Sequence, residues 1–223
     1  MRIMSLLILL LPLTLIPAGA QERSYYPETS TLPACSGPDD VIELGCGVTE
    51  CVGYGIPGEW GDEIQVVFVL PTPPHGGPWL IDHVAFFMSG SGEHHVIVRT
   101  PGAPGAPQGV VDEAVAFTSA YATWPPADYT YVPLAGTMPP YPAHLVLSGG
   151  ASFCVGIRLV GDDALGLVSS GAAGGQAWTS FGSQWYSDSD GLGMNPAVRL
   201  GLIDLGSSGA EAQNWGIIKG LFR

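Results

Sequence analysis

The sequence predicts an all-β protein: a single antiparallel β-sandwich, jelly-roll-like, with a disulfide-stapled irregular N-terminal segment. Three observations lead there. Short apolar runs recur between residues 60 and 203, several with strict alternation, and no stretch carries the spacing of an amphipathic helix. Gly (32) and Pro (20) are plentiful while charged residues are only 12% of the chain, a balance produced by many short strands joined by tight turns. The chain also holds 4 Cys behind an export-type leader, an even number that suits disulfides.

The leader comes first. Met1 and Arg2 are followed by an apolar run from Ile3 to Ile16, then Pro17 and the small residues Ala18-Gly19-Ala20. Small residues at the third-last and last positions fit a signal peptidase, so cleavage is expected before Gln21. An uncleaved anchor is the competing reading, but the run falls short of the roughly 20 apolar residues that span a bilayer. The expected location is therefore outside the cell or at its surface, or the periplasm. The expected divisions are 1–20 signal peptide, 21–58 Cys-containing segment packed on the sandwich, 59–204 β-sandwich, and 205–223 linker and tail.

Losing Arg2 with the leader leaves 20 acidic residues against 6 basic. Such a field repels nucleic acid and anionic lipid, and neither is expected as a partner. Three Cys (Cys35, Cys46, Cys51) crowd the N-terminal segment and Cys154 lies far downstream. One local bridge is expected, and a second that ties the segment to Cys154. Zinc at Cys46 and Cys51 is the alternative, disfavoured by an oxidising compartment.

Along the chain, Val41–Leu44 is a candidate strand in an otherwise turn-rich lead-in. Ile64–Leu70, Leu80–Met88 and His95–Thr100 follow at hairpin spacing, with Ser89-Gly90-Ser91-Gly92 as a turn. The proline-rich stretch 101–107 cannot sit inside a sheet. Val110–Phe117, Tyr129–Leu134 and His144–Leu147 resume strand character. In the next strand Phe153, Val155, Ile157 and Leu159 face the core, and Cys154 points the other way, toward a second covered face. The N-terminal segment is the expected cover. Leu165–Ser169, Ala177–Phe181 and Ala197–Ile203 complete nine or ten strands. In the last, Val198, Leu200 and Leu202 share one face and Arg199 takes the other.

The strands Gln65-Val66-Val67-Phe68, Ile81-Asp82-His83-Val84-Ala85-Phe86-Phe87 and His95-Val96-Ile97-Val98-Arg99, closed by Asn195-Pro196-Ala197-Val198-Arg199-Leu200, form a pattern. This succession resembles a β-sandwich module found in secreted bacterial proteins. The resemblance is one of pattern and carries no catalytic element. The ending Trp215-Gly216-Ile217-Ile218-Lys219-Gly220-Leu221-Phe222-Arg223 resembles short C-terminal tails on exported proteins of some bacterial lineages. That likeness implies a sorting or attachment role for Trp215, Lys219, Phe222 and Arg223; a short strand packing Trp215 and Phe222 on the sandwich is the other reading.

Candidate chemistry is sparse. Asp188, Asp190 and Asn195, with Gly191 between, offer oxygen ligands at spacings that a Ca²⁺-binding turn uses, and calcium is the one candidate cofactor. No acidic residue completes an EF-hand loop, and a solvated hairpin loop explains the same letters. Five His are present; His94 and His95 are adjacent and so point to opposite faces of a strand, while His83 and His95 could meet across a hairpin as two ligands at most. No His-Glu-x-x-His or Gly-x-Ser-x-Gly motif occurs.

Aromatic residues are the better clue. Trp178, Trp185 and Tyr186 cluster with Gln184, rings for stacking on sugar C–H groups beside an amide for hydroxyls. Trp178 is also a candidate core ring, and Trp185, in a Ser/Gly-rich loop, is the one expected at the surface. The chain is accordingly expected to be non-catalytic, with an adhesive, structural or accessory role at the envelope or beyond. A carbohydrate-binding module, with polysaccharide or a cell-surface component as partner, is the alternative; a hydrolase of unknown substrate has no positive sequence evidence.

Overall fold

The computed structural model describes residues 25–35, 41–47, 49–56, 63–99, 106–107, 111–136, 139–158, 163–169, 175–181, 184–187 and 194–206. The leader, Asp188, Asp190 and the tail with Trp215, Lys219, Phe222 and Arg223 lie outside the described residues.

The described chain is all-β. Its strands are β1 (Tyr25–Thr31), β2 (Val41–Leu44), β3 (Glu50–Ile56), β4 (Glu63–Val69), β5 (Trp79–Phe86), β6 (Met88–Ser89), β7 (Glu93–Arg99) and β8 (Val111–Thr118). They continue as β9 (Thr130–Pro133), β10 (Val146–Leu147), β11 (Ser152–Arg158), β12 (Asp163–Ser169), β13 (Gly175–Phe181), β14 (Gln184–Ser187), β15 (Met194–Pro196) and β16 (Val198–Asp204). One short 3₁₀ turn, Ala143–Leu145, leads into β10.

The strands form three antiparallel sheets. The first runs β1-β3-β12-β15, with β6 also on β12; the second runs β10-β5-β16-β2, with β9 also on β5. The third is six-stranded, β14-β13-β4-β11-β7-β8. First and second sheets share chain. At Phe87 and Ala197 the strand pair β5/β16 passes over into β6/β15, through Phe87 N–H to the Ala197 carbonyl (3.1 Å) and Ala197 N–H to the Gly166 carbonyl (2.7 Å).

Period-two alternation explains what faces inward. Val66 and Phe68 of β4, Val96 and Val98 of β7, and Phe153, Val155 and Ile157 of β11 meet Val84 and Phe86 of β5 and Val198, Leu200 and Leu202 of β16 in one buried cluster. Each large apolar side chain so buried contributes about 1.5–3 kcal/mol. Trp79 is fully buried there, and its indole N–H donates to the Pro71 carbonyl at 2.7 Å, so no polar atom is stranded.

The N-terminal segment is more regular than its turn-rich composition suggests. It supplies β1, β2 and β3, and β2 lies at Val41–Leu44, the candidate strand of the lead-in. Cys35 and Cys46 form the expected local disulfide. The second expected bridge is not formed: Cys51 and Cys154 are buried free thiols. They sit in different sheets, Cys51 on β3 and Cys154 on β11, and burial pushes each thiol up to about 12. The segment also covers a different face from the one expected. Its described residues pack on the outer side of the second sheet, where Leu32 and Cys51 meet Ala85, Phe87, Tyr129 and Ala197, rather than over Cys154.

Candidate functional site

Each of the two main sheets has a second face, and each buries a carboxylate with arginine. On the third sheet, register puts Glu63, Gln65 and Val67 of β4 on the side away from the main core. Cys154, Gly156 and Arg158 of β11 stand opposite them, as do His95, Ile97 and Arg99 of β7 one strand further. Trp178 lies opposite Gln65, and Trp185 of β14 lies opposite Ser180, two residues on from Trp178. Both indoles therefore occupy this one face.

Its floor is closed to water: Gln65 and Cys154 are 0% exposed and Glu63 is 2% exposed. Arg99 forks onto Glu63 through Nε (2.6 Å) and Nη2 (2.7 Å), and Arg158 Nη2 adds a bond of 2.5 Å. Burial alone would raise the Glu63 carboxyl, but the hydrogen bonds and charges of Arg99 and Arg158 outweigh it and hold the group below the usual carboxylate range. The bond to Glu63 likewise raises Arg99. Gln65 lies flat across the floor, its amide donating to Glu63 (3.2 Å) and to the Ile97 carbonyl (3.2 Å) and accepting from the Cys154 thiol (3.3 Å). Gly156 makes room for it, since a Cβ there would stand 2.6 Å from the Gln65 amide carbon.

The roof comes from both sides. The Arg99 guanidinium lies 5.8 Å from the centroid of Trp185, although their strands stand four places apart in the sheet order. They meet over the Glu63 end, where Ser180 accepts the Glu63 backbone N–H at 2.9 Å. Trp178, Trp185 and Arg158 remain partly accessible around this roof. Two donors, Trp178 Nε1 and Arg158 Nε, are buried with no hydrogen-bond partner among the described residues.

The sequence-predicted platform divides here. Trp185 is on a strand, not in a loop, and shares its face with Trp178. Tyr186 lies opposite Thr179 and so turns to the reverse face, where its hydroxyl donates to Gln184 at 2.8 Å. Asn195 is on β15 opposite Val168, but the residues that would share a cation with it lie outside the described residues. Glu63, Gln65, Arg99 and Arg158 were not picked out from the sequence. A polar residue at every second place of an apolar strand (Glu63, Gln65) was the available signal.

The outer face of the second sheet is built differently. Arg199 is 1% exposed, its guanidinium 4.0 Å from the Tyr129 ring centroid. It donates to the carbonyls of Pro33 and Ala34 and pairs with Glu43 at 3.7 Å. His83 is beside Glu43 on this face, while His95 is on the third sheet, so the two do not meet. His94 is buried against Phe117, His75 pairs with Asp204, and His144 pairs with Glu113. The five His are thus dispersed.

No helix among the described residues is long and apolar enough to cross a membrane. No protein-family model matches the chain, and no curated protein matches it. One solved structure that matches is the crystal structure of the cysteine protease and lectin-like domains of a surface-layer-associated protein of Clostridium difficile. The two are 12% identical with a TM-score of 0.44; the match covers 76% of this chain and 37% of the other.

Proposed function

We propose that this chain is an exported, non-catalytic β-sandwich that serves as an adhesive or accessory module by binding polysaccharide on the outer face of its third sheet. The observation that carries the reading is the pair Trp178 and Trp185 on one face, bordering a buried polar floor with two unpartnered donors. Aromatic rings offer apolar area to sugar C–H faces, and the partly exposed Arg158 guanidinium offers donors to hydroxyl oxygens. The leader supports export, and the Cys35–Cys46 bridge suits an oxidising compartment. The loop with Asp188, Asp190 and Asn195 is proposed as a calcium-held border, and the Trp215–Arg223 tail as a sorting or attachment signal.

The test is retention of the Gln21–Arg223 chain on insoluble polysaccharides and cell-wall preparations, with and without calcium. Selective retention that Trp185→Ala reduces at least tenfold, with the fold intact by circular dichroism, is expected. Retention indifferent to Trp185→Ala and Trp178→Ala overturns the assigned face. Turnover of a retained polymer overturns the non-catalytic reading.

A further inference from the structure

Among the described residues, one group of His, Cys, Asp and Glu donors is compact enough to hold a metal: Cys35, Glu43 and Cys46, with ligand atoms all within 4.8 Å of one another. In the oxidised chain the two sulfurs are bonded to each other, which leaves only the carboxylate. A fourth donor, on β5, stands outside that compact trio but approaches Glu43. His83 Nε2 lies 3.5 Å from Glu43 Oε1, is buried, and has no hydrogen-bond partner.

The ring's other nitrogen fixes its chemistry. His83 Nδ1 is 2.8 Å from Asp82 Oδ2. An ionised carboxylate only accepts, so Nδ1 carries the proton, and in the neutral ring the Nε2 lone pair faces the Glu43 carboxylate. Two acceptors then oppose each other in a buried place, an arrangement that either a proton on Nε2 or a metal cation between them relieves. The Asp82–His83 contact is also the carboxylate–histidine pairing that orients a metal-bound imidazole.

Spacing agrees. Tetrahedral zinc with bonds of about 2.0–2.3 Å holds its donors roughly 3.3–3.8 Å apart. Here Glu43 Oε1 to His83 Nε2 is 3.5 Å and Glu43 Oε2 to Cys46 Sγ is 3.9 Å. Two thiolates, one carboxylate and a neutral imidazole around Zn²⁺ leave one net negative charge, and Arg199 at 3.7 Å from Glu43 stands beside it.

We propose that reduction of the Cys35–Cys46 bridge opens a zinc-class metal site made by Cys35 Sγ, Cys46 Sγ, the Glu43 carboxylate and His83 Nε2. A dithiol supplies two electrons and two protons to the bridge sulfurs and leaves as its own disulfide; metal binding then releases the two thiol protons. The site is independent of the glycan-binding face, which lies on another sheet.

The test uses the full Gln21–Arg223 chain, reduced with dithiothreitol, desalted without oxygen and titrated with Co²⁺. One equivalent should bind with a thiolate-to-cobalt absorption band in the near ultraviolet, and Zn²⁺ should displace it. The oxidised chain should show no such band. Cys46→Ser should abolish the band, and His83→Ala should weaken affinity at least tenfold while the β-sheet circular dichroism is unchanged. A reduced, folded chain that binds no cobalt overturns the proposal. So does binding that survives Cys46→Ser, or binding indifferent to His83→Ala. Loss of β-structure on reduction that Zn²⁺ fails to restore overturns it as well.

Discussion

The two outer faces solve one problem in two ways. Each presents a buried glutamate to arginine on the side of a sheet that faces away from the main core. On the second sheet the solution is internal: Arg199 reaches its own N-terminal segment through the Pro33 and Ala34 carbonyls, and Tyr129 closes over it. On the third sheet Glu63 takes two arginines, and among the described residues the cover is an indole and a guanidinium rather than a length of chain. A face sealed by backbone is committed to stability. One roofed by side chains keeps rings and donors at its border, which is why the candidate site is placed there.

Breaking Arg199 should therefore cost more than breaking Arg158. Arg199→Ala strands Glu43 and unpins residues 33–34, with an expected loss of about 3–5 kcal/mol in a urea titration and faster proteolysis of the N-terminal segment. Arg158 is partly exposed, and Arg158→Ala should cost under about 1–2 kcal/mol while lowering polysaccharide retention. Equal losses would remove the distinction between the faces.

Glu63→Gln should fall next, with a loss of about 2–4 kcal/mol, because two arginines lose their shared counter-charge. The same group sets a pH dependence. Its folded-state carboxyl lies below the usual range, so its contribution is fully present above the unfolded value of about 4.3 and is lost as pH falls through the folded one. Wild-type stability should drop more steeply below pH ~4 than that of Glu63→Gln, as followed by melting temperature.

Removing the disulfide with Cys35→Ser and Cys46→Ser together should cost about 2–3 kcal/mol, the loop-closure value for a separation of 11 residues. This change should leave Trp185 fluorescence untouched if the two faces are independent. The smallest effect is chemical. Native protein should show no thiol reactive to Ellman's reagent, and two should appear on denaturation, since burial keeps Cys51 and Cys154 protonated.

Alternation made much of this legible. Strands such as β11 and β16 carry their faces in plain sight, and the Arg199 side of β16 follows from Val198, Leu200 and Leu202 alone. β14 was hidden because Ser and Gly surround four residues that pair only through β13. β3 was hidden because it pairs with β12, far along the chain, and β1 because its partner is β3. Cysteine count pointed to two bridges. Parity of number says nothing of where the side chains lie, and the sheets hold Cys51 and Cys154 apart. The Trp178–Trp185 pair was half visible: composition picked both rings, but only register puts Tyr186 on the reverse side.

The ladder between β2 and β16 has a consequence in time rather than in space. Val41 pairs with Ile203 and Leu44 with Leu200, so an early strand finds its neighbour only in the last described one. A chain that emerges N-terminus first must hold β2 unpaired until residue 204 has arrived. Long-range pairing of this kind is slow to close. Pairing of β2 with β16 is therefore expected late in assembly, and a chain truncated a few residues before Asp204 should lose β2 before it loses the third sheet.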